Sequence, residues 1–146
     1  MKELDIQKNN KSILFLCTGN SCRSQLAEGF AKKYLKKYQI SSAGTNPEKV
    51  SPNAIKSMQE IGIDISNYKS KKIKIEDLNK FDLIITLCGD ARDNCPTINT
   101  SKHIHWDIKD PAKFKGSSTE VRLMFSEVRD IIYNNIKLLK EKLNNN

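Results

Sequence analysis

The spacing of apolar residues changes period once near the start of the chain, and that change constrains the fold more than any other feature. Ile13-Leu14-Phe15-Leu16 is a short unbroken apolar run, the pattern of a strand buried on both faces of a parallel sheet. From Ser24 onward Ala27, Phe30, Ala31, Tyr34, Leu35 and Tyr38 fall at helical spacing, with Lys32, Lys33, Lys36 and Lys37 on the other face. Between the two lies Cys17-Thr18-Gly19-Asn20-Ser21-Cys22-Arg23. A strand that runs through a tight loop into a helix puts that loop at the carboxyl edge of the sheet, where open α/β folds bind ligands.

The rest of the chain repeats the alternation. Ile40 to Ala43 reads as a second strand, closed by Gly44. Ser51-Pro52 opens a helix through Ile61, with serine as N-cap, proline at the first helical position and Gly62 as the stop. Leu83 to Leu87 is a buried strand and His103 to Trp106 a weaker one. A long helix from about Ser118 to Leu143 buries Val121, Met124, Phe125, Val128, Ile131, Ile132, Leu139 and Leu143, and Asn144 to Asn146 reads as a frayed end. No repeat and no Gly/Pro/Ser-rich linker divides the chain. The pattern predicts one α/β domain over residues 1–146, with a mostly parallel sheet and a core of about 12–143.

The loop has the chemistry of an oxyanion site. Five residues separate Cys17 from Arg23, enough for the backbone to curl into a cradle of N–H groups at a helix N-terminus, which binds tetrahedral anions. Thr18, Gly19, Asn20, Ser21 and Cys22 supply that cradle; Gly19 relieves crowding and Asn20 tolerates a left-handed backbone. Arg23 can grip two oxygens with its planar fork. A thiol at a helix N-terminus beside an arginine ionises far more readily than a free one, so Cys17 is the candidate nucleophile and Ser24 a hydroxyl donor to its thiolate. A leaving oxygen needs an acid. Asp110, before Pro111 in what local rules read as a turn, is one candidate and Asp107 another.

Composition removes several other classes. No stretch approaches the roughly 18 consecutive apolar residues of a membrane span, and Met1 to Ser12 lacks the apolar run of a secretion signal. The expectation is a cytoplasmic protein, whose cysteines are catalytic or metal-binding more often than disulfide-bonded. The net charge of +8 rests on 25 Lys plus Arg against 17 Asp plus Glu. Lys32, Lys33, Lys36 and Lys37 lie on the helix face opposite Tyr34 and Tyr38, and the lysines of 69–74 have no aromatic among them, so the clusters do not read as a nucleic-acid stacking surface. Four residues separate Cys17 from Cys22 and six separate Cys88 from Cys95, which fits structural zinc poorly. His103 and His105, two apart on the weaker strand, share one face and read as packed or surface histidines; Trp106 reads as core or rim packing.

Cys17-Thr18-Gly19-Asn20-Ser21-Cys22-Arg23-Ser24-Gln25-Leu26-Ala27-Glu28-Gly29 resembles the opening of low-molecular-weight tyrosine phosphatases and of the arsenate reductases related to them. Ala43-Gly44 and Asp110-Pro111 fall where that superfamily has them, and the resemblance runs from about Ser12 to Lys142. It implies a four-stranded parallel sheet flanked by helices, with Asp110 as general acid. Thr86-Leu87-Cys88-Gly89-Asp90-Ala91-Arg92-Asp93-Asn94-Cys95-Pro96, then His105-Trp106, resembles the thioredoxin-coupled arsenate reductases in particular. Ordinary phosphatases of this fold lack that cysteine pair.

The resemblance implies a relay. Cys17 attacks arsenate, Cys88 attacks the Cys17 sulfur and expels arsenite, and Cys95 moves the disulfide to Cys88–Cys95, which thioredoxin or another thiol reduces. Cys22 stays outside it as a small buried residue beside the loop. Phosphate and sulfate are the expected competing oxyanions, and a monomer is expected. Some relatives bind a monovalent cation through residues matching Asn20, Glu28 and Ser42; here Lys71 stands where an aspartate ligand is expected, and the expectation is that its ammonium takes the cation's position and pairs with Glu28, making bound potassium unnecessary. No tightly bound cofactor or metal is expected. Two other functions fit the same residues: a phosphatase acting on phosphate monoesters, and a non-enzymatic oxyanion-binding or redox-sensing module.

Overall fold

The computed structural model describes residues 11–87 and 102–144. Cys88 and Cys95 lie outside the described residues. Four strands, β1 (Ser12–Cys17), β2 (Gln39–Gly44), β3 (Leu83–Thr86) and β4 (His103–His105), form one sheet in the order β2-β1-β3-β4. Every neighbouring pair is parallel. Three α-helices accompany them: α1 (Arg23–Tyr34), α2 (Pro52–Gln59) and α3 (Ser118–Asn144), with 3₁₀ turns at Ile75–Lys80 and Pro111–Lys113. This is the four-stranded parallel α/β fold that the sequence predicts.

β1 is central, and its alternation explains its unbroken apolar run. Ile13 and Phe15 face one side, where they join Leu26, Phe30, Phe125, Val128 and Ile132 in a core beneath α1, α2 and α3. Leu14 and Leu16 face the other side with Ala43, Ile84 and Leu78, the last from the Ile75–Lys80 turn. Both faces of the strand are therefore dry. The helical cover is uneven: among the described residues all three α-helices pack on the first face.

Element ends differ from the sequence reading by a few residues. α1 stops at Tyr34 rather than near Tyr38, because the chain must turn to enter β2; Leu35 N–H closes on the Ala31 carbonyl and Tyr38 N–H on that of Leu35. Tyr38 still packs on the core. α2 ends at Gln59, and Gly62 then takes a positive φ of 80°. Ser51 caps α2 as read, its hydroxyl accepting from the Ala54 N–H. α3 carries a reciprocal cap: Ser117 Oγ accepts from Glu120 N–H while Glu120 Oε1 accepts from Ser117 N–H.

Candidate active site

β1 delivers Cys17 as its last residue, and α1 begins at Arg23, so the five intervening residues close a loop at the carboxyl edge of the central strand. The loop stays tight because Asn20 takes a left-handed backbone, φ 47°, at full burial. Its backbone N–H lies 3.2 Å from Cys17 Sγ. Its side chain makes the conformation unique: Nδ2 donates to Ser24 Oγ at 2.7 Å and to Ser42 Oγ at 2.9 Å, while Oδ1 accepts from the Lys71 N–H at 2.8 Å. Its carbonyl accepts from Gln25 Nε2 and from the Ser70 hydroxyl.

Ser24 Oγ stands 2.8 Å from Cys17 Sγ, both buried. Ser24 Oγ also accepts from Asn20 Nδ2, and its own proton is available to the sulfur whenever Cys17 is ionised, since a thiolate can only accept. An amide and a hydroxyl thus converge on one sulfur. Burial, followed by the charge of Asp110, pushes the Cys22 thiol far above the usual range despite the nearby Arg23 guanidinium, so it stays an inert thiol.

Arg23 is held by the sheet edge. Nη1 donates to the Ile108 carbonyl at 2.8 Å and approaches that of Leu87 at 3.5 Å, which leaves the other side of the fork facing Asp110, 3.6 Å from Nη2. Asp110 caps the Pro111–Lys113 turn, its Oδ1 accepting from the Ala112 N–H, so the turn that local rules suggest is real and also aims the second carboxylate oxygen at Arg23. Cys17, Thr18, Gly19, Ser21, Cys22, Arg23, Asp107 and Asp110 are among the residues that line one cavity of about 830 Å³. That volume far exceeds a tetrahedral oxyanion, so polar groups rather than shape must select the ligand. Among the described residues no aromatic side chain lines it.

Asn20, Ser42 and Glu28 do come together, joined by hydrogen bonds from Asn20 to Ser42 and from the Ser42 hydroxyl to Glu28 Oε1. The Lys71 ammonium does lie against Glu28, its Nζ 3.9 Å from Oε1 while also donating to the Lys69 carbonyl, and Lys32 adds a second and closer ammonium, its Nζ 2.7 Å from Oε2. Lys32 lies one turn beyond Glu28 on α1, so the helix itself brings the pair together. Burial opposes the Lys32 charge, but the hydrogen bond and attraction of Glu28 outweigh it and raise its pKa.

Sequence reasoning missed three contacts. His103 Nε2 and His105 Nδ1 lie 3.0 and 2.8 Å from Thr86 Oγ1, so the two histidines clamp one hydroxyl on β3; their shared face was the available signal. Gly44 carries the second contact and Glu48 the third. Glu48 lines the cavity from the β2–α2 connection, where no motif marks it.

A parallel sheet that aims a thiol and an arginine into an anion-binding loop defines a class, the cysteine-dependent phosphatase-type α/β domain. Residues 12–146 match the low molecular weight phosphotyrosine protein phosphatase family, and the chain belongs to that family. It is similar to the arsenate reductase of Bacillus subtilis (strain 168), with 50% identity over 136 residues, 90% of this chain and 96% of that protein. The arsenate reductase of Halalkalibacterium halodurans is 51% identical over 135 residues, 91% of this chain and 97% of its own. In three dimensions it is similar to an arsenate reductase solved in the phosphate binding state, with a TM-score of 0.75 and 36% identity over 91% of this chain and 98% of the other.

Proposed function

We propose that this chain is an arsenate reductase that uses Cys17 as nucleophile and Cys88 and Cys95 as a disulfide relay. The observation that carries the chemistry is the convergence of Ser24 Oγ and the Asn20 N–H on Cys17 Sγ at 2.8 and 3.2 Å, beside Arg23. Relatives half identical over nine-tenths of the chain, named arsenate reductases, support arsenate as the substrate.

Arsenate settles against the loop amides and Arg23, and the Cys17 thiolate forms a sulfur–arsenic bond. A proton from Asp110 leaves with the displaced oxygen as water. The Cys88 thiolate then attacks the Cys17 sulfur; the sulfur–arsenic electron pair passes to arsenic, which departs as arsenite. Cys95 next attacks Cys88 and releases Cys17 as thiolate. An external dithiol, thioredoxin in this reading, supplies the two electrons that reopen Cys88–Cys95. Glu28, already paired with Lys32, needs no bound potassium in this reading. The working unit is a cytoplasmic monomer, and neither nucleic acid nor membrane is a partner. Among the described residues no helix is long and apolar enough to cross a membrane.

Arsenate-dependent NADPH oxidation coupled through thioredoxin and thioredoxin reductase tests this. Steady turnover lost in each of the Cys17→Ser, Cys88→Ser and Cys95→Ser variants is the expected result. Hydrolysis of a phosphate ester that needs Cys17 alone, without arsenate turnover, would make the chain a phosphatase, the reading that its family name favours.

A further inference from the structure

The carbonyls of the oxyanion loop are gripped from outside, and that grip sets where its amides point. In a trans peptide the C=O and the N–H that follows it point in opposite directions, so a carbonyl tied outward turns the next amide inward. Backbone N–H groups of the β2–α2 connection take four of the five carbonyls of residues 17–21. The Thr45 N–H reaches the Cys17 carbonyl at 3.2 Å, and those of Asn46, Glu48 and Ser51 reach Thr18, Gly19 and Ser21 at 2.8 Å each. The Gly19–Asn20 peptide follows the rule: its carbonyl goes out to Glu48 and its N–H points in at Cys17 Sγ, 3.2 Å away. The Asn20 carbonyl is the exception. Among the described residues only side chains hold it, Gln25 Nε2 at 2.9 Å and Ser70 Oγ at 2.7 Å.

Ser70 has a single hydroxyl proton, and its Oγ also contacts the Glu48 carbonyl, so it divides that proton between two acceptors. Gln25, in the first turn of α1, donates its two amide protons separately, one to Asn20 and one to the Lys69 carbonyl at 3.2 Å. It is wholly buried, and its Oε1 has no hydrogen-bond partner among the described residues, a cost that an apolar side chain of the same length would avoid. What glutamine adds in that place is Nε2. We propose that Gln25, assisted by Ser70, is a positioning residue: it holds the Asn20 carbonyl outward and thereby presents the amide of Ser21, a residue that lines the cavity, to the bound oxyanion. Neither Gln25 nor Ser70 lines the cavity itself. The role deepens the arsenate reductase reading and rests on the same oxyanion site.

The test uses inorganic phosphate as probe and two readouts: amide nitrogen–proton NMR spectra, and protection of Cys17 from iodoacetamide, followed on the Cys17 peptide by mass spectrometry. In wild type, saturating phosphate should shift the Ser21 amide together with those of Thr18 and Gly19. Gln25→Met keeps the length of the side chain and removes the donor. It should abolish most of the Ser21 shift at saturating phosphate and leave the Thr18 and Gly19 shifts in place. The phosphate needed for half protection should rise about tenfold, the scale of one weakened hydrogen bond to a charged group. Ser70→Ala should act in the same direction to a smaller extent, and Ser70→Thr, which keeps the hydroxyl, should behave as wild type. In Gln25→Met, or in Ser70→Ala should the first not fold, an unchanged Ser21 shift or an equal loss at all three amides would overturn the proposal. The assay needs neither arsenate turnover nor a reductant, so such a failure leaves the reductase reading standing. No protection and no amide shift in wild type would remove the oxyanion site and both readings with it.

Discussion

A methyl group on Gly44 would stand 2.5 Å from the carbonyl oxygen of Thr18 and 2.9 Å from the amide nitrogen of Asn20. Gly44 pairs in register with Cys17 at the end of β2, so the last residue of one strand presses directly on the anion loop that leaves its neighbour. Both contacts are to backbone, which cannot swing aside. The loop holds its curvature because nothing larger than hydrogen fits behind it.

Gly44→Ala should therefore displace the loop rather than merely crowd it. Overpacking of this kind costs about 1–3 kcal/mol of stability, and a displacement of about 1 Å at reacting groups costs on the order of 100-fold in rate. Urea unfolding and Cys17-dependent turnover, measured on one preparation, check both numbers.

Ser24→Ala removes the hydroxyl 2.8 Å from Cys17 Sγ and leaves Asn20 Nδ2 with Ser42 as its remaining acceptor. A hydrogen bond to a charged group contributes about 1.5–3 kcal/mol, so the first chemical step should slow by about 10- to 150-fold. Single-turnover kinetics with arsenate reads this directly, while phosphate binding should change far less.

Asp110→Asn keeps the cap on Ala112, since an amide oxygen accepts the same N–H, but removes the proton donor. Loss of a general acid costs about 10²–10⁴ in rate. The expected signature is a fall in the rate of the Cys17 step with phosphate protection of Cys17 retained. If protection collapses as well, Asp110 acts through its contact with Arg23 and not as an acid.

The cap of α3 gives a pH dependence whose sign is fixed. The Ser117 backbone N–H, and then its hydroxyl, hold the Glu120 carboxyl below its ordinary value of 4.5. A depressed carboxyl stabilises the fold above its unfolded-state value and loses that contribution as pH falls through the lowered one. Glu120→Gln should thus lower the urea midpoint at neutral pH, and the gap to wild type should shrink in acid.

How much was legible depends on the range of each interaction. β1, the loop and α1 could be read because strand, cradle and helix are consecutive in the chain. Ser51 as the cap of α2 and Asp110 in a turn were legible for the same reason. Glu28 has two ammonium partners: Lys71 follows from the resemblance, and Lys32, four residues away on the same helix, carries a local signal for the closer contact. Gly44, Glu48 and Thr86 gave no such signal. Each matters through a residue far along the chain, Thr18, Gly19 and the pair His103 and His105 respectively.

The sequence by itself determined the element types, the parallel sheet and the identity of the nucleophile loop, since these follow from hydrophobic period and from backbone geometry over a few residues. Only the tertiary structure decided which groups surround the thiol. Strand order sets β2 beside β1 and so puts Gly44 behind the loop, Ser42 under Asn20 and Glu48 over Gly19. That order is settled by burial of both faces of β1, a condition on the whole core that no local stretch of residues contains.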